Sequence, residues 1–254
     1  MRGTLVICPE LDSLNQEAAR RFLAAVEASQ TQEPFRLALA GGSTPRRFYE
    51  LLASPEWSEK IPWARLHVFW GDERLVPRNH RESNYRMAHE ALLARVPLPM
   101  PNIHPVMMEA APQTTADVYE QELRAHFKQA RGVPAFDLIL LGLGEDAHVA
   151  SLFPDAPTLD ERQRLVAAHK PGGRNLPRVT FTLPLINAAR RVFFLVAGAN
   201  KALALRHALR AGGRLPAQRV APKKGELVWF VDSGAASGLE SFQVEPPASK
   251  EAAS

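Results

Sequence analysis

The chain has 254 residues, of which 46% are apolar and 23% are charged, and its formal net charge is +4. These values are ordinary for a globular protein with a sizeable core. The arginines are scattered rather than clustered, so the charge argues only weakly for nucleic acid and suits an anionic small molecule equally well. A single cysteine, Cys8, excludes an intrachain disulfide and a cysteine-rich zinc site. No apolar run approaches the roughly 18 residues of a membrane span, and the N-terminal apolar segment is too short for a signal peptide, so we expect a cytoplasmic protein.

Apolar runs that alternate with helix-like segments predict an α/β fold. We expect strands at Leu5–Cys8, Phe35–Ala40, Leu66–Trp70, Phe136–Leu141, Leu165–Ala168, Val179–Thr182, Arg191–Val196 and Glu226–Val231. We expect helices to start near Asp12 or Ser13, Thr44, Ser83, Thr114 or Thr115, and Lys201. This order predicts a Rossmann-like, mainly parallel sheet with helices on both faces. We assign residues 1–236 to a single domain and residues 237–254, rich in Ser, Ala, Glu and Pro, to a disordered tail.

The turn Gly41-Gly42-Ser43-Thr44-Pro45 follows the second strand and opens a helix. Glycines let the backbone approach an oxyanion, the two hydroxyls can donate to it, and the helix N-terminus favours negative charge. The nucleotide P-loop pattern is absent, so a monophosphate fits better than a triphosphate. An ordinary capped turn explains the same residues about as well. Lys201, at the start of another helix, is a candidate second phosphate contact, although a solvated lysine is the plainer interpretation.

The segment Phe136–Pro154 is a buried strand followed by glycines and then by ionisable side chains. Its Gly142-Leu-Gly144-Glu-Asp-Ala147 run fits the loose dinucleotide pattern, but Pro154 and Pro157 leave no room for the long helix that a dinucleotide site needs. We therefore interpret His148 as an acid–base group with Asp146 beside it. A structural, hydrogen-bonded histidine is the plain alternative. Ser151 lacks a nucleophile-elbow context.

Charged residues also follow the third strand, in Gly71-Asp72-Glu73-Arg74. Asp72 and Arg74 would share a sheet edge with His148 if the strands are neighbours, and the arginine could hold a carboxylate, phosphate or oxyanion. A salt-bridged turn is the alternative. A metal site built from His148, Asp146, Glu145 and Asp72 lacks any recognised ligand spacing.

Together these stretches resemble the 6-phosphogluconolactonase family, within the larger group that includes glucosamine-6-phosphate deaminases. The resembling segments are AGGSTPRRFYELL, FWGDERLVPRNHRESNY, FDLILLGLGEDAHVASLFP, PRVTFTLPLINAARRVFFLVAGANKALAL and PAQRVAPKKGELVWFVD, which span about residues 4–235. The resemblance implies hydrolysis of 6-phospho-D-glucono-1,5-lactone to 6-phospho-D-gluconate in the oxidative pentose phosphate pathway, without cofactor or metal.

By the same resemblance, His148 would be the general base on water, and Asp72, Arg74 and Asp146 would line the catalytic site. The 6-phosphate would be held by Gly41, Gly42, Ser43, Thr44, Arg178 and Lys201. The implied partner is the small-molecule substrate, with no nucleic acid or membrane, and we expect a monomer or a weak homodimer.

Two positions depart from the family pattern. Ala147 stands where the family usually has Gly, and an alanine with positive φ would cost about 1–2 kcal/mol there. Asn79 replaces a common Asp. Two other functions stay open: a sugar-phosphate deaminase or isomerase that uses the same turn, and a non-catalytic sugar-phosphate sensor.

Overall fold

The computed structural model describes residues 3–29, 33–170, 176–210 and 212–239. The strands are β1 (Thr4–Cys8), β2 (Phe35–Leu39), β3 (Leu66–Trp70), β4 (Asp72–Arg74), β5 (Ile103–His104), β6 (Leu138–Leu141), β7 (Val166–His169), β8 (Arg178–Phe181), β9 (Arg191–Val196) and β10 (Glu226–Asp232). The helices are α1 (Leu11–Ala28), α2 (Ser43–Leu52), α3 (Pro55–Ser58), α4 (Asn84–Ala88), α5 (Pro112–His126), α6 (Leu183–Ile186), α7 (Ala202–Ala208), α8 (Pro216–Arg219) and α9 (Ser233–Ala236).

Seven strands form a central sheet in the order β1-β10-β9-β6-β2-β3-β5. Every neighbouring pair in this sheet is parallel. The expected mainly parallel α/β sheet is therefore confirmed. The order in which strands are added reverses within the sheet, so that β6 lies between β2 and β9. Such a reversal leaves a crevice beyond the carboxyl ends of the strands.

A second, three-stranded antiparallel sheet, β4-β8-β7, was not expected from the sequence. Its strand β4 has only three residues and follows β3 after a single glycine, Gly71. The pairs Asp72↔Thr180 and Arg74↔Arg178 set its register against β8. This small sheet brings two distant charged segments together at the edge of the crevice.

Both faces of the central sheet are covered. All four residues of β6 are buried, as are five of the six in β9, so side chains that point to opposite faces are equally shielded. Helix α1 covers part of one face of the sheet with the buried side chains of Leu14, Ala18 and Phe22, which have the helical spacing expected from the sequence. The burial of the central strands on both faces requires helices on both sides of the sheet, as predicted.

Some helices begin earlier than the sequence suggests. Helix α1 is capped at Glu10 rather than at Asp12 or Ser13, and α5 begins at Pro112, since proline already has the φ angle of a first helical turn. The N-cap of α2 is Gly42 rather than Thr44, because the chain turns there with φ +107°. The expected cap at Ser83 is confirmed: its Oγ accepts from the Arg86 N–H at 3.2 Å.

The expected tail falls mostly outside the described residues, from residue 240 onward. Residues 237–239 follow α9 as a turn. The assignment of residues 1–236 to one domain stays a prediction. Among the helices that the structure describes, none combines the length and apolar character needed to cross a bilayer.

Candidate active site

The carboxyl ends of β2, β6 and β9, together with β4 and β8, surround a cavity of about 200 Å³. The order of the strands explains this convergence, because β9, β6 and β2 are adjacent and parallel. The lining residues are Ala40, Gly41, Gly42, Ser43, Thr44, Pro45, Asp72, Arg74, Gly142, Leu143, Gly144, His148, Ala150, Arg178, Leu195, Val196, Ala197 and Lys201.

The glycine turn between β2 and α2 forms one wall of the cavity. Tyr49, nearly two turns into α2, fixes the end of β2: its hydroxyl donates to the Ala40 carbonyl at 2.8 Å and accepts from the Ala40 N–H at 2.9 Å. Helix α2 then starts at Ser43, whose backbone N–H belongs to the first, unsatisfied turn. This wall therefore presents N–H groups, two hydroxyls and the positive end of a helix dipole to the cavity.

Gly41 is required by close packing rather than by its φ angle. A Cβ atom at this position would lie 2.2 Å from Oδ1 of Asn84. The Asn84 amide nitrogen donates to the Asp72 carbonyl at 2.9 Å and to Oδ1 of Asp72 at 3.2 Å. Asn84 thus couples the glycine turn to the start of β4.

His148 and Asp146 form a close pair in the loop after β6. The Nδ1 atom of His148 lies 2.5 Å from Oδ1 of Asp146, and the same oxygen accepts from the His148 backbone N–H at 3.2 Å. The ring also packs on Phe153, with ring centroids 4.5 Å apart. Burial by itself would raise the pKa of the Asp146 carboxyl, but the hydrogen bond and charge of His148 outweigh it, so that this pKa lies below its usual value.

Gly144 leaves the space that this pair occupies. An added Cβ would lie 1.9 Å from Nδ1 of His148 and 2.6 Å from Oδ1 of Asp146. The Gly144 N–H also donates to the His148 carbonyl at 2.9 Å. Gly144 therefore makes room for the histidine–carboxylate pair.

The loop carries unusual backbone strain. Ala147, between the paired residues, has φ +62°, in the left-handed region that favours glycine. Ala150 and Asp155 follow with φ +50° and +60°. Positive φ at non-glycine residues is concentrated at functional sites in proteins. The question left by the Ala147 departure is thus answered: the position does adopt the glycine-type conformation, and alanine bears its cost.

Asp72 is buried at the wall of the cavity, and both of its carboxylate oxygens accept hydrogen bonds. Its Oδ2 accepts from the Ser151 hydroxyl at 2.7 Å. Ser151 in turn receives a longer hydrogen bond from Arg178, at 3.5 Å, and its backbone N–H donates to Thr180 Oγ1 at 3.1 Å. This chain of contacts joins the histidine loop to β4 and β8.

Arg74 lines the cavity, and one end of its guanidinium is held in place by the chain. One terminal nitrogen donates to the Glu82 carbonyl at 2.7 Å, which holds the guanidinium at the rim. Its Nε is buried and has no hydrogen-bond partner among the described residues. In the cavity, the Arg74 guanidinium can meet an anionic oxygen of a bound ligand.

The structure brings together every site residue named from the sequence, with one difference in position. Asp146 does not line the cavity itself but contacts His148, which does. Three cationic side chains, Arg74, Arg178 and Lys201, share the cavity with the Asp72 carboxylate. This excess of positive charge favours an anionic ligand.

Sequence reasoning missed the supporting residues Asn84, Ser151, Thr180 and Phe153. Asn84 and Ser151 lie within the resembling segments, but nothing in their spacing shows that they bind the Asp72 carboxylate. These contacts bridge 12 and 79 positions along the chain, so that only the folded sheet reveals them.

The fold and this site together define a class: an α/β protein whose strand ends deliver a histidine–carboxylate pair and an anion-binding turn to one cavity. Comparison with known proteins makes the class specific. Residues 9–229 match the family described as glucosamine-6-phosphate isomerases/6-phosphogluconolactonase. The chain belongs to this family, as its motifs predicted.

Several similar proteins are named 6-phosphogluconolactonase. The chain is 43% identical, over 244 residues, to the 6-phosphogluconolactonase of Nostoc sp., covering 94% of this chain and 99% of the relative. It is 48% identical, over 208 residues, to the 6-phosphogluconolactonase of Synechocystis sp., covering 80% and 84% of the two chains. The solved structure of 6-phosphogluconolactonase from Trypanosoma cruzi superposes with a TM-score of 0.83 at 30% identity, covering 94% of this chain and 98% of that one.

Proposed function

We propose that this protein hydrolyses 6-phospho-D-glucono-1,5-lactone to 6-phospho-D-gluconate, the second step of the oxidative pentose phosphate pathway, with His148 as the general base. One observation carries the proposal: His148, which is paired with Asp146, and the glycine turn at the start of α2 line the same cavity. The names of relatives at 43–48% identity support the choice of substrate.

The pairing with Asp146 suits His148 to proton transfer. When Nδ1 donates its proton to the carboxylate, the lone pair of the imidazole is on Nε2. That atom would take a proton from water as the water oxygen attacks the lactone carbonyl carbon. The carboxylate would then stabilise the imidazolium that forms, without itself becoming protonated.

Arg74 supports the charge that develops on the carbonyl oxygen. Its guanidinium lines the cavity and would donate an N–H to the oxyanion of the tetrahedral intermediate. When the intermediate collapses, the bond from the carbonyl carbon to the ring oxygen breaks. The imidazolium returns its proton to that oxygen, leaving a hydroxyl group and a carboxylic acid, and the acid then loses its proton to solvent to give the carboxylate.

The phosphate would be bound at the other end of the cavity. Gly41, Gly42, Ser43 and Thr44 offer N–H and hydroxyl donors, and Arg178 and Lys201 offer positive charge. Binding energy from this remote group would orient the lactone against His148. The site residues and their roles form one proposal, because each assigned role depends on this orientation of the substrate.

The experiment is a lactonase assay on the purified chain with a chelator present, with the uncatalysed rate subtracted. We expect turnover that the chelator leaves unchanged. His148→Ala should lower kcat by about 10²–10⁴, the usual effect of losing an acid–base group. His89→Ala, which removes an exposed histidine outside the cavity, is the matched control and should retain full activity. Full activity in His148→Ala would refute the role assigned to this histidine.

Two further assays separate the alternatives that the sequence left open. Ammonia release from glucosamine 6-phosphate would indicate a deaminase. Saturable binding of phosphosugars without turnover would indicate a sensor. We propose a cytoplasmic enzyme that is a monomer or weak homodimer, which cell fractionation and sedimentation of the purified chain would test.

A further inference from the structure

Three of the chain's eight histidines meet at a place outside the candidate active site. They are His67 on β3, His104 on β5 and His126 at the end of α5. One ring nitrogen of each lies within 4.8 Å of a ring nitrogen of the other two. None of the three lines the cavity that contains His148.

The topology of the sheet explains why these histidines converge. Strand β5 pairs in parallel with β3 so that His104 lies beside Phe69. Side chains alternate along a strand, so His67 and Phe69 point to the same face. Helix α5 packs against this face and places the His126 ring 4.7 Å from each of the other two histidine rings.

The hydrogen bonds of the cluster suit metal ligands. The Nδ1 atom of His104 lies 3.2 Å from Oε1 of Glu122, and its Nε2 lies 3.0 Å from Nδ1 of His67. A carboxylate that accepts from one ring nitrogen fixes the tautomer, so that the other nitrogen offers its lone pair; this is the usual environment of a metal-binding histidine. The Nε2 atom of His126 is buried and has no hydrogen-bond partner among the described residues.

The distances require only small adjustments. Zinc binds imidazole nitrogens at about 2.0–2.1 Å in tetrahedral geometry, which places ligand nitrogens about 3.3 Å apart. The His67–His104 nitrogens are already 3.0 Å apart, and the third nitrogen is within 4.8 Å of both. Rotation of the His126 ring and small shifts of the other two rings would supply the remaining movement.

The surroundings of the cluster are aromatic and include a carboxylate. Phe69 stacks on His104 with ring centroids 4.4 Å apart, and its ring lies 5.0 Å from that of His126. The Glu122 carboxylate beside His104 offsets the positive charge that a metal ion adds.

We propose that His67, His104 and His126 form a binding site for a divalent transition metal, with Zn²⁺ as the metal that it fits. Imidazole ligands suit Zn²⁺ rather than Mg²⁺ or Ca²⁺. A water molecule completes the tetrahedron, while Glu122 stays on Nδ1 of His104. The bound ion ties the edge strand β5 and the end of α5 to β3, which is a structural role distinct from lactone hydrolysis.

The test uses the full-length chain after removal of metal with a chelator. Calorimetric titration with Zn²⁺ should show one equivalent bound, and saturating Zn²⁺ should raise Tm. His126→Gln should weaken binding at least about 100-fold, since loss even of residues that only orient a ligand costs about 10–100-fold. His89→Gln and His148→Gln are the controls, and both should bind Zn²⁺ like the unaltered chain.

X-ray absorption of the zinc-loaded, unaltered chain gives a second readout that needs no variant to fold. It should count three imidazole ligands. The absence of saturable binding, fewer than three imidazoles, or binding lost in His148→Gln but kept in His126→Gln would overturn the proposal and leave the cluster as aromatic packing. The chelator-treated lactonase assay tests the proposed function separately, because the two sites share no residue.

Discussion

Substituting Gly144 by alanine should disable the His148–Asp146 pair without touching either residue. The new Cβ would lie 1.9 Å from Nδ1 and 2.2 Å from Cε1 of His148, and 2.6 Å from Oδ1 of Asp146. Ordinary contacts of a Cβ atom begin near 3.4 Å. The imidazole must therefore retreat by about 1.5 Å, well beyond the roughly 0.5 Å within which a catalytic group must be held.

This displacement sets the size of the expected effect. A misplacement of 1 Å can cost about 10²-fold in rate, and complete loss of the base costs about 10²–10⁴-fold. We expect kcat of Gly144→Ala to fall by about 10²–10³. KM should change little, because the glycine turn at the start of α2 and Lys201 lie elsewhere on the cavity wall.

Gly142→Ala is the matched control, since it adds the same methyl group two residues earlier in the same loop. Its Cβ would meet only the Gly41 carbonyl, at an ordinary 3.9 Å. Steady-state lactonase kinetics on both variants, with folding checked by circular dichroism, compare them directly. Equal losses in the two variants, or unchanged kcat in Gly144→Ala, would refute the argument that Gly144 makes room for the pair.

The remaining predictions concern the loop strain, the Asp72 network, the phosphate end and pH. Ala147→Gly relieves about 1–2 kcal/mol of left-handed strain and loses about 0.8 kcal/mol of methyl burial, so thermal unfolding should show a net stabilisation of about 0–1 kcal/mol; destabilisation above 1 kcal/mol would contradict it. Ser151→Ala removes the hydroxyl that donates to buried Asp72, and chemical denaturation should show a loss of about 1–3 kcal/mol. Lys201→Ala should raise KM for the phosphorylated lactone more than it lowers kcat, and equal effects on both would argue against phosphate contact. The pKa of Asp146 is depressed, so its carboxylate stays ionised above its unfolded value of 3.8 and its stabilising pairing is lost only as pH falls through the still lower folded value. Asp146 should therefore contribute no ionisation to the pH–rate profile between pH 5 and 7, and an ionisation of Asp146 in that range would contradict the pairing.

The amino-acid sequence determined the fold class and most of the candidate site. Long apolar runs such as Arg191–Val196 are buried on both faces, which only a covered parallel sheet explains. Glycines and charged residues directly after those runs indicate a site, because parallel strands all present their carboxyl ends to one edge. The sequence also showed that Ala147 departs from the family pattern, and the structure shows that its φ angle is positive.

The tertiary structure decided what depends on contacts between distant segments. The three-residue strand β4 is too short to predict from its own pattern, since its stability comes from pairing with β8 about a hundred residues later. The contacts of Ser151 and Asn84 with Asp72 and the meeting of His67, His104 and His126 have no local signature either. Local sequence fixes backbone preferences and burial, but which polar side chains meet is set by strand order and register, and these emerge only when the whole sheet has formed.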